Sequence, residues 1–293
     1  MKTAFRAGDL QARAAAAGAW LDASAANLAR GSLANALRAA IASVIARDAG
    51  APLERDAFAA ALARTRSLDD LAACGGPLVL LFGLAAARIG ADAGAALRQF
   101  VDASEAAFDA DRPDRDQFCA AAYLLAQLGG AVRPLGATQP AEMQTIENDG
   151  DRDDLRAIGW VECAAAFGTR RAAAPPALAL RLQAAAMLRL KRYEFELGCR
   201  AARAAHYADG SITLARAATA AFLRAHQDFD GSFGFFDREA AELRRATRAD
   251  HAALEFKVPA TLASLWTLAE FELANYRVFR DIGLASLARG TET

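Results

Sequence analysis

Apolar residues recur along most of the chain at intervals of three and four, which is the spacing of one face of an α-helix. In segment 33–48 the residues on this face are Leu33, Leu37, Ile41, Val44 and Ile45. Segments 176–190 and 258–274 repeat the pattern, and each has a proline near its start, where a helix tolerates it. Alternating runs of Val, Ile and Thr, which would predict strands, are almost absent. The pattern therefore predicts an all-α protein.

Breaks rich in glycine and proline divide these patterns into about a dozen helices joined by short connections. The loosest region, 130–152, is expected to be an irregular excursion and not a domain boundary, because the helical patterns on its two sides look alike. We therefore predict one helical domain over 1–293. Cys119 and Cys163 each open a Cys-Ala-Ala-Ala run, 44 residues apart, which indicates a repeat of helical-hairpin length.

The composition, 54% hydrophobic and 24% charged, is that of a folded globular protein. A net charge of −1 gives no basic field for nucleic acid or for an anionic membrane. The most apolar run, 77–87, is too short to span a bilayer, and Asp9 and Arg13 interrupt any signal-peptide core. We expect a cytoplasmic protein with neither a nucleic acid nor a membrane as partner. The excess of Arg over Lys and the abundance of Ala indicate a GC-rich bacterial genome.

Four cysteines lie in apolar helical contexts without a Cys-x-x-Cys pair, so we expect reduced, buried thiols. The histidines are His206, His226 and His251. Cys199 and His206 would lie two helical turns apart, which is too far for them to share a metal easily. The sequence therefore predicts no metal and no cofactor.

The stretch AHQDFDGSFGFFDREA, 225–240, differs from the Ala-rich helices around it. Its Asp-Gly-Ser also occurs in HYADGSI at 206–212. Asp and Gly supply a turn with positive φ, and Ser or Asp can cap the next helix. We interpret Gln227–Phe236 as a structural turn between two helices, with Gly231 in a conformation that Ala resists and Phe233 buried.

Gln227, Gly231 and Phe233 also fit the pattern Q-x-x-x-G-x-[WF]. This resembles the Gln-Trp repeat of the terpenoid-cyclase and prenyltransferase-like α/α-toroids, where the motif is architectural. The resemblance implies an α/α-toroid of about six helical hairpins, in which Gln227 would satisfy helix-end groups and Phe233 would pack on a neighbouring turn. The chain is similar as well to bacterial helical proteins of unassigned function. Both resemblances concern the fold, which does not by itself give a function.

Two aspartates are candidate catalytic acids. The motif Asp151–Asp154, DRDD, matches the D-x-D-D of class II terpene cyclases, in which the middle residue, here Asp153, protonates an alkene. Such an acid must be kept protonated by burial and by its neighbours, whereas the acidic surroundings here favour a solvated helix N-terminus. Asp230 is the second candidate. It clusters with Asp228, Asp237 and Glu239, a set from which a glycosidase pair could be drawn.

Aromatic residues are concentrated after position 190, which favours a hydrophobic core. The functional alternative is a lined groove for an apolar small molecule or a peptide. The candidate binding residues are Tyr207, Phe229, Phe233, Phe235, Phe236 and Trp266.

Three functions stay open. The absence of an assembled catalytic motif favours a helical scaffold that binds a partner protein or peptide, as an accessory to a bacterial biosynthetic pathway. The alternative is a cyclase-like enzyme acting on an apolar or natural-product substrate in a central toroid cavity. A glycoside-active (α/α)6 enzyme is the third hypothesis. Whether Asp230 or Asp153 faces a cavity distinguishes the enzymes from the scaffold.

Overall fold

The computed structural model describes residues 7–53, 55–92, 94–106, 124–125, 151–210, 213–234 and 249–281. Across these ranges the secondary structure is helical, and no strand is formed. An isolated antiparallel bridge joins Gln227 to Phe233. The all-α prediction is confirmed for the described part of the chain.

The helices have the bounds α1 (Ala7–Ala23), α2 (Ala25–Leu28), α3 (Leu33–Asp48), α4 (Asp56–Arg64), α5 (Leu68–Ala73), α6 (Gly76–Ile89), α7 (Gly94–Ala106), α8 (Asp151–Ala164), α9 (Pro176–Lys191), α10 (Phe195–Ala208), α11 (Thr213–Ala225) and α12 (Ala249–Glu272). Their ends follow local chemistry. Ser32 caps α3 by accepting a hydrogen bond from the Asn35 amide at 3.2 Å. Gly90 ends α6 in the left-handed conformation that glycine adopts without strain. None of the described helices is both long and apolar enough to cross a membrane.

The second half of helix α12 is enclosed on nearly all sides. Every residue from Val258 to Phe271 except Trp266 is buried, because α3, α10, α11 and α1 surround the helix. The sequence pattern placed Pro259 near a helix start, but α12 begins at Ala249 and continues through this proline. The helix continues through Pro259 because packing on all sides stabilises it by more than the loss of one backbone hydrogen bond costs.

Contacts at helix ends fix the relative directions of the central helices. Asn35, at the start of α3, donates to the Leu254 carbonyl in the first half of α12, and Asp48 at the end of α3 accepts from Tyr276 beyond the end of α12. Helices α3 and α12 therefore run in parallel. The end of α6 also meets the end of α3, because Arg88 donates to Asp48 at 3.3 Å.

Helix α10 runs parallel to α12 on another side, since Arg203 reaches Thr267 and Tyr207 reaches Glu270 in the same order. Helices α9 and α10 instead form a tight antiparallel hairpin. At Gly198 a β-carbon would lie 2.8 Å from the Leu190 side chain, so the small residue lets the two helices approach closely.

Cys163 forms a disulfide bond, whereas Cys74 and Cys199 are free thiols. The prediction of reduced cysteines is therefore wrong for Cys163, because an apolar Cys-Ala context does not distinguish a thiol from a disulfide. Cys119 lies outside the described residues. Disulfides persist in oxidising compartments, so the argument from thiols to a cytoplasmic location no longer applies. Of the predicted excursion at 130–152, Asp151 and Arg152 are described, and they begin α8.

Candidate functional site

The Asp-Gly-Ser turn after α11 has the structural form expected from its sequence. Gly231 has φ +96°, and a β-carbon there would lie 2.1 Å from the Ala16 carbonyl oxygen in α1. Phe233 is fully buried, and its amide donates to the Thr261 hydroxyl at 3.0 Å. The predictions of positive φ at Gly231 and of a buried Phe233 are confirmed. Phe235 and Phe236, which complete the predicted turn, lie outside the described residues.

Gln227 links this turn to α1. Its side-chain amide donates to the carbonyls of Arg13 at 2.9 Å and Gly231 at 3.0 Å. The Arg13 guanidinium in turn donates to the Arg224 carbonyl in the last turn of α11 at 2.9 Å, and to the Gln227 side chain at 3.2 Å. Arg13 and Gln227 together satisfy the helix end and the turn, which is an architectural role.

Asp230 lies in the same turn. Its side chain is partly exposed, and both of its carboxylate oxygens accept hydrogen bonds. It accepts from the amide and hydroxyl of Ser232 at 2.9 and 2.6 Å and from the Lys257 ammonium at 2.8 Å. Partial burial would raise the pKa of Asp230, but the hydrogen bonds from Lys257 and Ser232 and the Lys257 charge hold that pKa below its usual value. The surroundings stabilise the ionised form, whereas a general acid requires the protonated one.

The other candidate acid, Asp153, belongs to the first turn of α8, and its side chain lies outside the described residues. Its neighbour Asp154 accepts from Arg181 of α9 at 3.1 Å. The DRDD motif therefore forms a helix N-terminus, as its acidic surroundings favoured.

The described candidate binding residues occupy three different environments. Phe229 is fully exposed at the tip of the turn, and Phe233 is in the main core. Tyr207 and Trp266 lie instead in a polar interface between α10 and α12. These four residues do not come together in one pocket.

The polar interface consists of hydrogen-bonded side chains that are almost wholly removed from solvent. The Tyr207 hydroxyl donates to the Glu270 carboxylate, which also accepts from the Trp266 indole at 2.8 Å and the Val278 amide at 2.9 Å. Arg203 donates to the Thr267 hydroxyl at 2.8 Å, and its guanidinium lies 4.4 Å from the centre of the Trp266 ring. Satisfied groups of this kind fix which faces of two helices meet.

Burial dominates the electrostatics of this interface. It raises the pKa of Glu270 above the ordinary value, although Arg203 and three hydrogen bonds oppose the rise. It also raises the pKa of Tyr207, and the adjacent Glu270 charge adds to that rise. Neither Tyr207 nor Glu270 lines the groove described next, so the interface holds the helices together without being placed to meet a ligand there.

A groove of about 350 Å³ opens where α10 begins, beside the first half of α12. Its walls combine three carboxylates with three aromatic rings and a few apolar side chains. They are formed by Tyr193, Glu194, Phe195, Glu196, Leu197, Glu255, Phe256, Pro259 and Ala260. Tyr193 turns the chain from α9 into α10 with φ +63°, which directs the residues after it along the groove wall.

Two of the three carboxylates in this groove are available to a ligand. Glu194 pairs with Arg189 at 2.6 Å. Glu196 and Glu255 are exposed and form no ion pair with another residue of the described ranges. The aromatic concentration after 190 pointed to this region, but the glutamates were missed. The alternation Glu194-Phe195-Glu196 is a local signal that could have indicated Glu196.

No known protein family, characterised protein or solved structure matches the chain significantly. The interpretation of the groove therefore rests on its own geometry. Within the described residues, no three His, Cys, Asp or Glu side chains lie close enough together to hold a metal ion.

Proposed function

We propose that the protein is a helical scaffold that binds a basic segment of a partner protein in the groove between α10 and α12. The observation that carries this proposal is the groove itself, with Glu196 and Glu255 unpaired beside the rings of Tyr193, Phe195 and Phe256. Its volume of about 350 Å³ is at the lower end for ligand pockets and suits one or two inserted side chains.

The wall chemistry favours arginine or lysine on the partner. A guanidinium binds carboxylates through paired hydrogen bonds and also stacks on aromatic rings. An apolar small molecule would leave Glu196 and Glu255 without partners, since both line the same groove. A peptide whose basic side chains alternate with apolar ones fits both components of the wall.

The arrangement of helices supports an α/α-toroid as the scaffold. Helices α3, α12 and α10 lie side by side and run in one direction, and α6 ends beside α3. In a toroid, such helices form the inner ring and their antiparallel partners, here α9 against α10, form the outer ring. The enclosed α12 suits an inner position. The groove then lies at the end of the ring where α10 and α12 begin.

The test is fluorescence anisotropy with a labelled peptide of alternating arginine and leucine, compared with the same peptide carrying glutamate in place of arginine. We expect the basic peptide to bind and the acidic one not to bind. The double variant Glu196→Gln/Glu255→Gln should weaken binding at least about ten-fold, because two charge-assisted contacts are lost.

The matched control is Asp69→Asn/Asp70→Asn, which removes two exposed negative charges from α5, away from the groove. It should leave the affinity unchanged within about two-fold, since distant exposed charges are screened. Equal weakening by both double variants would show non-specific attraction and contradict the groove as the site. Binding of the acidic peptide would contradict the proposed partner chemistry.

A further inference from the structure

Exposed leucines are concentrated on the outer sides of α8, α9 and α11. Six large apolar side chains of the described residues are exposed, and four of them lie on these three helices. Leu214 of α11 is 86% exposed and Leu180 of α9 is 63% exposed, so both project from the surface. Leu155 of α8 and Leu188 of α9 complete the set. Single exposed leucines are ordinary on a protein surface, but a contiguous group marks an interaction site.

Helices α9 and α11 are neighbours that run in the same direction. Gln183 of α9 and Arg216 of α11 line one small cavity between the helices. One turn further along both helices, the Thr219 hydroxyl donates to the Met187 sulfur at 3.9 Å. The contacts follow the same order on the two helices, so the helices are parallel.

The exposed residues of these two helices therefore face the same way. Ala184 follows the contact residue Gln183 by one position on α9, whereas Ala218 precedes the contact residue Thr219 by one position on α11. Opposite rotations of about 100° on two parallel helices lead to the same side of the pair. The outer face formed in this way carries no charged residue and consists of Leu180, Ala184, Leu188, Leu214, Ala218 and Ala221, all of them exposed.

The exposed charges around this face have one sign. From 155 to 192 the chain contains a single acidic residue, Glu162, which is buried and pairs with Arg200 at 2.5 Å. Helix α11 contains no acidic residue. Every exposed charged side chain from 155 to 192 is therefore basic, and these residues are Arg156, Arg170, Arg171, Lys191 and Arg192.

These cations border the outer face. Lys191 continues the exposed side of α9 at its end. Before the start of α9, the Arg171 guanidinium approaches the connection between α10 and α11. The ion pair of Asp154 with Arg181 holds the start of α8, with the exposed Arg156, against α9. An apolar surface is thus surrounded by positive charge.

We propose that the outer face of α9 and α11 binds the surface of an anionic phospholipid membrane. The leucines enter the boundary between headgroups and acyl chains, and the surrounding arginines and lysine contact lipid phosphates, as in interfacial helices. The single sign of the exposed charges is complementary to a uniformly anionic surface. Projecting leucines need no shaped recess in a bilayer, whereas a protein partner would have to provide one.

The whole-chain net charge of −1, from which we expected no membrane partner, averages over regions of opposite charge. The stretch 155–192 alone has seven basic residues and one acidic residue. The outer face is also separate from the groove, because none of its six residues lines the groove wall. Failure of one proposal therefore leaves the other untouched.

The experiment is co-sedimentation of the full chain with large unilamellar vesicles. One set of vesicles contains phosphatidylcholine alone, and the other contains about 30% phosphatidylglycerol. We expect at least about ten-fold tighter binding to the anionic vesicles, and a smaller difference when the salt is raised to about 1 M. Absence of binding to the anionic vesicles, or equal binding to both sets, would overturn the proposal.

The variant Leu180→Ser/Leu214→Ser should weaken binding to the anionic vesicles at least about ten-fold, because two inserted side chains are lost. Both leucines are exposed, so the variant should fold, which circular dichroism checks. The matched control, Leu68→Ser/Phe229→Ser, removes two exposed apolar side chains outside the outer face and should bind like the parent. Equal loss in both double variants would overturn the site.

The variant Arg156→Gln/Lys191→Gln should also weaken this binding at least about ten-fold, because both cations lie at the border of the outer face. Its control, Arg55→Gln/Arg66→Gln, removes two exposed arginines on either side of α4 and should bind like the parent. Equal loss in both would show diffuse attraction and overturn the site. Analytical ultracentrifugation without lipid tests a second copy as the occupant. A dimer that Leu180→Ser/Leu214→Ser dissociates would overturn the membrane proposal.

Discussion

Gly231 packs directly on the Ala16 carbonyl, so that a β-carbon on this glycine would lie 2.1 Å from the oxygen. The contact joins the turn after α11 to α1. Gly231→Ala should destabilise the protein by more than about 2 kcal/mol, since positive φ and a backbone clash act together. Urea denaturation of the variant and the parent measures this difference in the free energy of unfolding.

Gly75 provides the control for backbone strain alone. It has φ +87°, close to the +96° of Gly231, but no atom lies within 4 Å of a β-carbon placed there. Gly75→Ala should therefore cost only about 1 kcal/mol. If the two variants lost equal stability, the contact with Ala16 would contribute nothing beyond the strain.

Phe233 and Phe229 belong to one turn but have opposite exposures. Phe233 is fully buried, and Phe229 is fully exposed. Phe233→Ala should cost about 3–5 kcal/mol through loss of apolar contacts and the cavity left behind. Phe229→Ala should change stability by less than about 0.5 kcal/mol. Thermal melts followed by circular dichroism compare the two, and a stable Phe233→Ala variant would contradict a structural role for this ring.

The turn could be predicted from the sequence because its determinants are local. Asp-Gly-Ser specifies positive φ at Gly231, and the apolar Phe233 next to it has to be buried somewhere. The helices were predictable for a similar reason, since their apolar spacing repeats within each segment. Pro259 shows where prediction from local sequence fails. A proline predicts a helix start or break, but tertiary packing keeps α12 helical on both sides of it.

The proposed groove could not be predicted as a whole because its two walls meet only in the folded chain. Glu196 lies on α10 and Glu255 on α12, and the fold brings both carboxylates to one groove. The alternation at 194–196 marks one wall of the groove, but no local pattern relates Glu196 to Glu255. The missed disulfide at Cys163 has the same cause, since pairing depends on which thiols the fold brings together.

Tyr207 and Glu270 should be energetically coupled, because their hydrogen bond is buried between α10 and α12. In a double-mutant cycle of Tyr207→Phe and Glu270→Gln, the interaction energy should be about 1–3 kcal/mol. As a control, Tyr207→Phe combined with Thr65→Ala, at the end of α4, should be additive within about 0.5 kcal/mol. Additivity in the first cycle would mean that the two helices do not depend on this bond.

The cysteines should differ in reactivity towards iodoacetamide at pH 8. Burial raises the pKa of the Cys199 thiol to about 11 and encloses it completely, so labelling requires unfolding. Cys74 is partly exposed and should be labelled in the native protein. Cys163 should need a reductant, because its sulfur is bonded in the disulfide. Peptide mass mapping locates each label, and labelling of Cys163 without reductant would contradict the disulfide.

His206 should make stability depend on pH between about 4 and 6.5. Burial and the charges of Arg277, Arg216 and Arg171 lower its pKa to about 4 in the folded state, against about 6.5 in an unfolded chain. The unfolded state therefore binds the proton first, and the stabilisation is complete above pH 6.5 and is lost as the pH falls towards 4. Between pH 7.0 and 4.5 the parent should lose about 2 kcal/mol more than His206→Gln in urea denaturation. Equal losses in the two proteins would show that His206 titrates alike in both states.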